Sequence, residues 1–225
     1  MLITIFFMII GMIVSGRLKS RFKEYSEIPT SSGLSGKEIA EKMLKDNDIY
    51  DVQVISVEGQ LTDHYNPQTK TVNLSQEVFN GRNVAAAAVA AHECGHAVQH
   101  ARAYAWLQMR STIVPVVNFS SRMMNFVFFA MILFAFSAKM YNQALLVIIV
   151  LQSAITLFSL ITLPVEFDAS TRALAWLNSS RITRGEEHTK ATNALRWAAS
   201  TYVIAALAAI ATLLYFVMQY MGRRD

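Results

Sequence analysis

The sequence predicts a mainly α-helical integral membrane protein with about four transmembrane helices and a small cytoplasmic α+β region. Three observations predict it. Hydrophobic residues make up 53% of the 225, which is high for a soluble domain, and the excess is gathered in four segments, 2–14, 123–138, 143–163 and 201–221. Between the first two lies a polar stretch whose short runs alternate apolar and polar residues, as half-buried strands do. That stretch ends in an alanine-rich run, 84–91, which leads straight into His92-Glu93-Cys94-Gly95-His96.

The first apolar segment is followed by Arg17, Lys19, Arg21 and Lys23. It lacks the basic leader and small-residue cleavage site of a signal peptide, so a retained anchor is expected over residues 1–16. A spanning helix needs about 20 apolar residues, with a range near 17–25. Segments 143–163 and 201–221 meet that and carry no charge. The first two are short and rely on snorkelling flanks such as Arg17 and Arg122, or on local bilayer thinning. Arginine and lysine stay on the cytoplasmic side. Eleven lie from Arg17 to Arg110 and five from Arg172 to Arg196, against Lys139, Arg223 and Arg224 on the other side. Four spans with the N-terminus outside therefore place both large loops in the cytoplasm. The net charge of +4 reads as topology and contact with membrane lipids; it is too modest, and too close to the spans, to indicate nucleic acid.

The polar stretch opens with Ser35-Gly36-Lys37-Glu38, a capping-box pattern that starts a helix running to about Asp46. Ile39, Met43 and Leu44 form its apolar stripe, and Glu38/Lys42 and Glu41/Lys45 are spaced as ion pairs on a solvated face. Residues 51–57 read as a strand, Glu58-Gly59 as a turn, 61–65 as a second strand, Asn66-Pro67-Gln68-Thr69 as a turn and 71–74 as a third strand. The expectation is a small antiparallel meander. It serves either as a packing platform for the following helix or as an edge that pairs with an extended peptide.

Gly81 and Asn83 mark the start of that helix, with Asn83 as N-cap, and the pattern continues to about Trp106. On a helix His92 and His96 point the same way, about 40° apart. Two neutral imidazoles so placed can hold one Zn²⁺, with Glu93 as general base for a water at the metal. Cys94 sits about 200° around from His92, facing away from the metal, and reads as a small core residue. As the single cysteine it excludes an internal disulfide and fits a reducing compartment.

A catalytic zinc takes three protein ligands and leaves a position for water. His100 is about 12 Å along the helix from His92 by rise alone, so it reads as a structural or surface residue. His64 and His188 are possible but isolated. Glu166, just beyond the third apolar segment, is the better candidate, since two histidines and a glutamate form an established catalytic set. The oxyanion of the reaction needs a further donor, for which Arg172, His188 and Tyr65 are candidates. Asp168 is placed to orient a ligand imidazole.

Gln60-Leu61-Thr62-Asp63-His64-Tyr65-Asn66-Pro67, Lys70-Thr71-Val72-Asn73-Leu74-Ser75, Ala90-Ala91-His92-Glu93-Cys94-Gly95-His96-Ala97-Val98-Gln99 and Pro164-Val165-Glu166-Phe167-Asp168-Ala169-Ser170 together resemble the neutral zinc metallopeptidases of bacterial membranes, the YugP type. The likeness runs from about Gly36 to the last span. More distantly the chain is similar to the HtpX and CAAX-prenyl protease group of membrane gluzincins. The resemblance implies one zinc on His92, His96 and Glu166, Glu93 as base, and a multi-pass protein of the bacterial cell membrane. The distant group has an aspartate four residues after its glutamate; here Asp168 comes two after and Ser170 holds the later place.

The chain thus divides into an anchor (1–16), a cytoplasmic zincin-like region with the pentad helix (17–112), a transmembrane hairpin (113–163), a cytoplasmic segment carrying Glu166 (164–200) and a C-terminal transmembrane helix (201–225). The expected function is a zinc-dependent endopeptidase acting on peptides or membrane proteins at the cytoplasmic membrane face. The competing class is a scaffold in which zinc only staples helices together, against which Glu93 argues, since a structural site needs no base. A transporter is expected to carry ionisable residues inside the membrane, and 143–163 and 201–221 have none.

Overall fold

The computed structural model describes residues 2–133 and 138–222. The elements run in the order α1 (Leu2–Ser26), α2 (Gly36–Asp46), β1 (Gln53–Val57), β2 (His64–Asn66), β3 (Thr71–Ser75), α3 (Gln76–Asn80), α4 (Val84–Ala101), α5 (Ala105–Leu133), α6 (Ala138–Ser179) and α7 (Glu186–Met221). They form two compact units. One takes in residues up to 12, 108–163 and from 202 onward; the other takes in 13–107 and 164–201.

In the first unit, α5, α6 and α7 are long and apolar enough to cross a membrane. The expected count of about four spans is thereby reduced to three on this criterion. In α1 the charges begin at Arg17, and the apolar stretch before them falls short of a bilayer's roughly 20 residues. The far end of the second apolar segment, 134–137, lies outside the described residues. Ile148 and Leu151 of α6 pack with Met124 of α5 and Phe216 of α7. In a span, van der Waals packing and shared hydrogen bonds replace the hydrophobic drive. Here Gln152 Nε2 and Thr156 Oγ1 both donate to the Ala209 carbonyl, at 3.3 and 3.2 Å, beside the small buried Ala206 and Ala209.

In the second unit, α2 begins as the capping box predicts: Glu38 N–H donates to Ser35 Oγ at 3.3 Å and Ser35 N–H to Glu38 Oε2 at 2.7 Å. Its surface ion pairs differ from those expected. Lys37 pairs with Glu41, Lys42 with Asp46, and Glu38 with Arg82, because Glu38 is already turned back to the cap. Ile39, Ala40, Met43 and Leu44 are buried in one core with the alanines of α4, Val72 and Leu74 of β3, and Ala173 and Leu177 of α6. Tyr25 of α1 donates to Asn193 Oδ1 of α7 at 2.9 Å.

The sheet corrects the antiparallel meander. Its order is β1-β3-β2, with β1 parallel to β3 and β2 antiparallel to β3. Gly59 and Leu61 adopt positive φ, so the chain leaves β1 without forming a hairpin. The Asp63 carboxylate then accepts from Ser75 N–H at 2.7 Å and from Ser75 Oγ, which holds 61–63 off the ladder and shortens β2. The β2–β3 turn does follow expectation, with Asn66 Oδ1 accepting the amides of Gln68 and Thr69.

Asn83 caps α4, its Oδ1 accepting Ala86 N–H at 2.9 Å. The helix ends at Ala101, short of the expected Trp106, because Ala103 turns to φ +51° and Tyr104 N–H bonds back to the Gln99 carbonyl. Cys94 is fully buried against α2, with its Sγ 3.5 Å from the Ala40 carbonyl. Burial first, and the neighbouring Glu93 charge second, push its thiol pKa well above the usual value.

Candidate metal centre

Three donor atoms converge inside the second unit. His92 and His96 come from one face of α4 and Glu166 from α6, and their ligand atoms all lie within 4.8 Å of one another. Glu166 Oε2 is 3.3 Å from His92 Nε2 and 3.6 Å from His96 Nε2. Ligands 2.0–2.1 Å from a tetrahedral zinc sit about 3.3–3.4 Å from each other, so the two glutamate–histidine gaps and the two-nitrogen, one-oxygen donor set fit that ion. Glu166 and His96 are buried and His92 is nearly so. Burial works to lower the His96 pKa, but its hydrogen bond to Glu166 and the charges of Glu93 and Glu166 outweigh this, and the pKa is raised.

The close approach of the two helices rests on Gly95. A Cβ there would lie 2.6 Å from the Ala169 carbonyl oxygen and 3.1 Å from that residue's carbonyl carbon and Cα. Nothing larger than hydrogen fits between α4 and α6 at that level, three residues past Glu166.

Each imidazole presents Nε2 to the cluster because its Nδ1 is engaged behind. His92 Nδ1 lies 3.2 Å from Ser170 Oγ, and His96 Nδ1 lies 3.0 Å from Gln99 Oε1. Gln99 is fully buried, and its Nε2 donates to the Val165 carbonyl and to Asp168 Oδ2, both at 2.8 Å. With the amide nitrogen committed to α6, its oxygen must accept, so His96 carries its proton on Nδ1 and leaves Nε2 free for a metal. The sequence expectation that Asp168 orients a ligand imidazole is corrected: its carboxylate accepts from Gln99, which in turn holds His96, and from Arg172 at 2.5 Å. The aspartate is two residues from Ser170, about 200° around α6, and so points away from the face that meets His92. Gln99 was not singled out by the sequence, although a lone amide three residues after a ligand histidine, in an apolar run, is a usable signal. Replacing Gln99 with leucine should weaken zinc binding about 10–100-fold with the fold intact, as measured by competition with a chelating dye and by circular dichroism.

Glu93 is buried on the same helix, and its Oε2 accepts the backbone N–H of Tyr65 at 3.1 Å. The Tyr65 hydroxyl is 2.8 Å from Nδ1 of the exposed His100, consistent with a surface role for that histidine. Of the other expected oxyanion donors, Arg172 is paired with Asp168 and stacked 5.7 Å over the Tyr104 ring, and His188 Nδ1 lies 3.1 Å from Thr183 Oγ1. His64 Nδ1 is turned to the segment just before β2, 2.8 Å from the Thr62 carbonyl. Neither His64 nor His188 joins the three-residue cluster found among the described residues.

Comparison with known proteins bears on the chain as a whole. A family described as "Putative neutral zinc metallopeptidase" matches residues 1–221. The protein of Bacillus subtilis (strain 168) named "Putative membrane protease YugP" is 43% identical over 209 residues, which is 93% of this chain and 91% of that one. No solved structure matches. Matched over nearly its whole length, the chain belongs to the neutral zinc metallopeptidase family.

Proposed function

We propose that the protein is a membrane zinc endopeptidase of the gluzincin type, with His92, His96 and Glu166 as ligands and Glu93 as general base. The observation that carries this reading is the pairing of a three-donor cluster at zinc spacing with a carboxylate that is held beside it and is not one of the donors. Bound there, zinc supplies a Lewis acid that polarises a peptide carbonyl and acidifies water. Glu93 takes the proton of the attacking water and passes it to the departing nitrogen. The Tyr65 amide fixes one carboxylate oxygen and leaves the other to work. Of the three candidate oxyanion donors, Tyr65 is the one tied to Glu93, through its backbone amide; its phenol, 2.8 Å from His100 Nδ1, must leave that partner to serve as the donor. As the edge strand of the sheet, β2 offers an extended peptide a backbone to pair with beside the base.

Topology supports a cytoplasmic site. The basic residues concentrate in 17–110 and 172–196, as the positive-inside rule requires. Glu166 lies on the same continuous helix as the apolar stretch 143–163, only three residues past it. Substrates are then membrane proteins, their juxtamembrane tails or short peptides. Purified protein should cleave casein or a membrane-protein tail peptide, lose that activity on chelation, and regain it with one equivalent of Zn²⁺. Cleavage that survives full metal removal sinks the reading, and stoichiometric zinc with no cleavage of any peptide points to the stapled scaffold instead.

A further inference from the structure

We infer that a cleft in the same unit as the metal centre binds an acidic residue of the substrate, about three positions from the scissile bond; this rests on the peptidase reading above. The cleft has a volume of about 660 Å³, within the usual range of ligand sites. Its floor is apolar, from Phe22, Leu61 and Ala85, and Lys19, Lys23, Asp63 and Glu77 supply its charges. The carboxylates are already engaged. Asp63 accepts from Ser75, and Glu77 Oε1 accepts Gln60 Nε2 at 2.8 Å. Lys19 and Lys23 stand four residues apart on α1, on one face. Both are exposed, and neither makes an ion pair among the described residues. Beside two carboxylates held by neutral donors, the cleft thus offers two ammonium groups that make no such pair, and these can receive a carboxylate on a short aliphatic stem.

Its position ties it to the reaction. Ala85 precedes His92 by seven residues, two helical turns, so the two share a face of α4 about 10 Å apart. Leu61 and Asp63 line the cleft, and two residues further on Tyr65 donates its amide to Glu93. The α4 stripe between them is buried at Ala88 and Val89, so it is the extended segment 61–65, exposed or half-buried along its length, that runs from the cleft to the base. A peptide in extended form advances about 3.3 Å per residue, which sets the offset at about three residues. An anionic lipid headgroup would use the same two lysines, but it would not need the alignment with Glu93.

The test uses the full chain, zinc-loaded, in nanodiscs of zwitterionic lipid. Its probes are twelve-residue peptides that carry one Asp or one Lys at each position from five before to five after the cleaved bond. Hydrolysis is followed with the unaltered protein and binding with Glu93→Gln. Asp should be preferred over Lys about five- to tenfold at one position about three residues from the bond, and K19E/K23E should abolish or invert that preference. Absence of a position-specific preference, or its persistence in K19E/K23E, overturns the proposal. So does a K19E/K23E protein that loses only its affinity for phosphatidylglycerol vesicles. If the unaltered protein cleaves nothing, the peptidase reading fails by itself. The cleft as an acidic-residue site then stands or falls on whether Asp at one peptide position tightens binding and K19E/K23E removes that gain, and the three-residue offset falls with the peptidase reading.

Discussion

Replacing Glu93 with glutamine should leave the protein folded and zinc-loaded while lowering peptide hydrolysis by about 10²–10⁴-fold, the contribution of a positioned general base. The substitution is nearly isosteric, and the glutamine oxygen can still accept the Tyr65 N–H that now reaches Glu93 Oε2. What it removes is the capacity to take a proton. Glu93 is outside the three-donor cluster, so metal content should be unchanged, whereas Glu166→Gln should weaken the metal itself. Zinc stoichiometry by atomic absorption, read beside turnover of a quenched-fluorescence peptide, separates the two. A Glu93→Gln protein that retains activity within about tenfold of the unaltered enzyme would falsify the assignment of the base.

Replacing Gly95 with alanine should destabilise the zinc-loaded protein by about 1–3 kcal/mol, the usual cost of overpacking, and lower zinc affinity at least about tenfold. Alanine in a helix interior normally gains about 1 kcal/mol over glycine. Here the new methyl would stand 2.6 Å from the Ala169 carbonyl oxygen and 3.1 Å from two more backbone atoms. Backbone cannot rotate aside as a side-chain tip can, so α4 and α6 must separate. Glu166 sits three residues from that contact, and separation stretches the 3.3 and 3.6 Å gaps to His92 and His96. Gly16→Ala supplies the comparison, since a Cβ there meets nothing within 4 Å and only the helix propensity acts. Thermal melts and zinc competition read both effects. Equal behaviour of the two variants would remove Gly95 from the account.

Local signals in the sequence were read well where the chemistry is local. The Ser35/Glu38 capping box and the Asn83 cap each depend on atoms three residues apart, and both appear as predicted. The burial of Cys94 follows from helix angle alone. Direction of strand pairing does not follow in this way. Alternation in 51–57 marks a half-buried strand, but nothing in it says whether the partner is the next strand or the one after. The side chain that settles the matter, Asp63, acts twelve residues away on Ser75. The end of α4 was missed because Ala103, an excellent helix former by type, takes a left-handed conformation. At the site, the spacing of His92 and His96 was legible, whereas Glu166 was only the better of several candidates until the family resemblance implied it as the third ligand. The link from His96 through Gln99 to Asp168 spans 69 residues between its last two members, and the contact at Gly95 is visible only once both helices are placed.

The split of the donor set between α4 and α6 also has a bearing on biogenesis. Glu166 follows His96 by 70 residues. At about 5–20 residues per second, the ribosome needs several seconds to add it after the second histidine is made. Throughout that interval the nascent chain carries two imidazoles and a base without the third donor. A half-assembled centre of this kind lacks one of its three donors, so the metal site can be complete only after α6 has been synthesised and brought to α4.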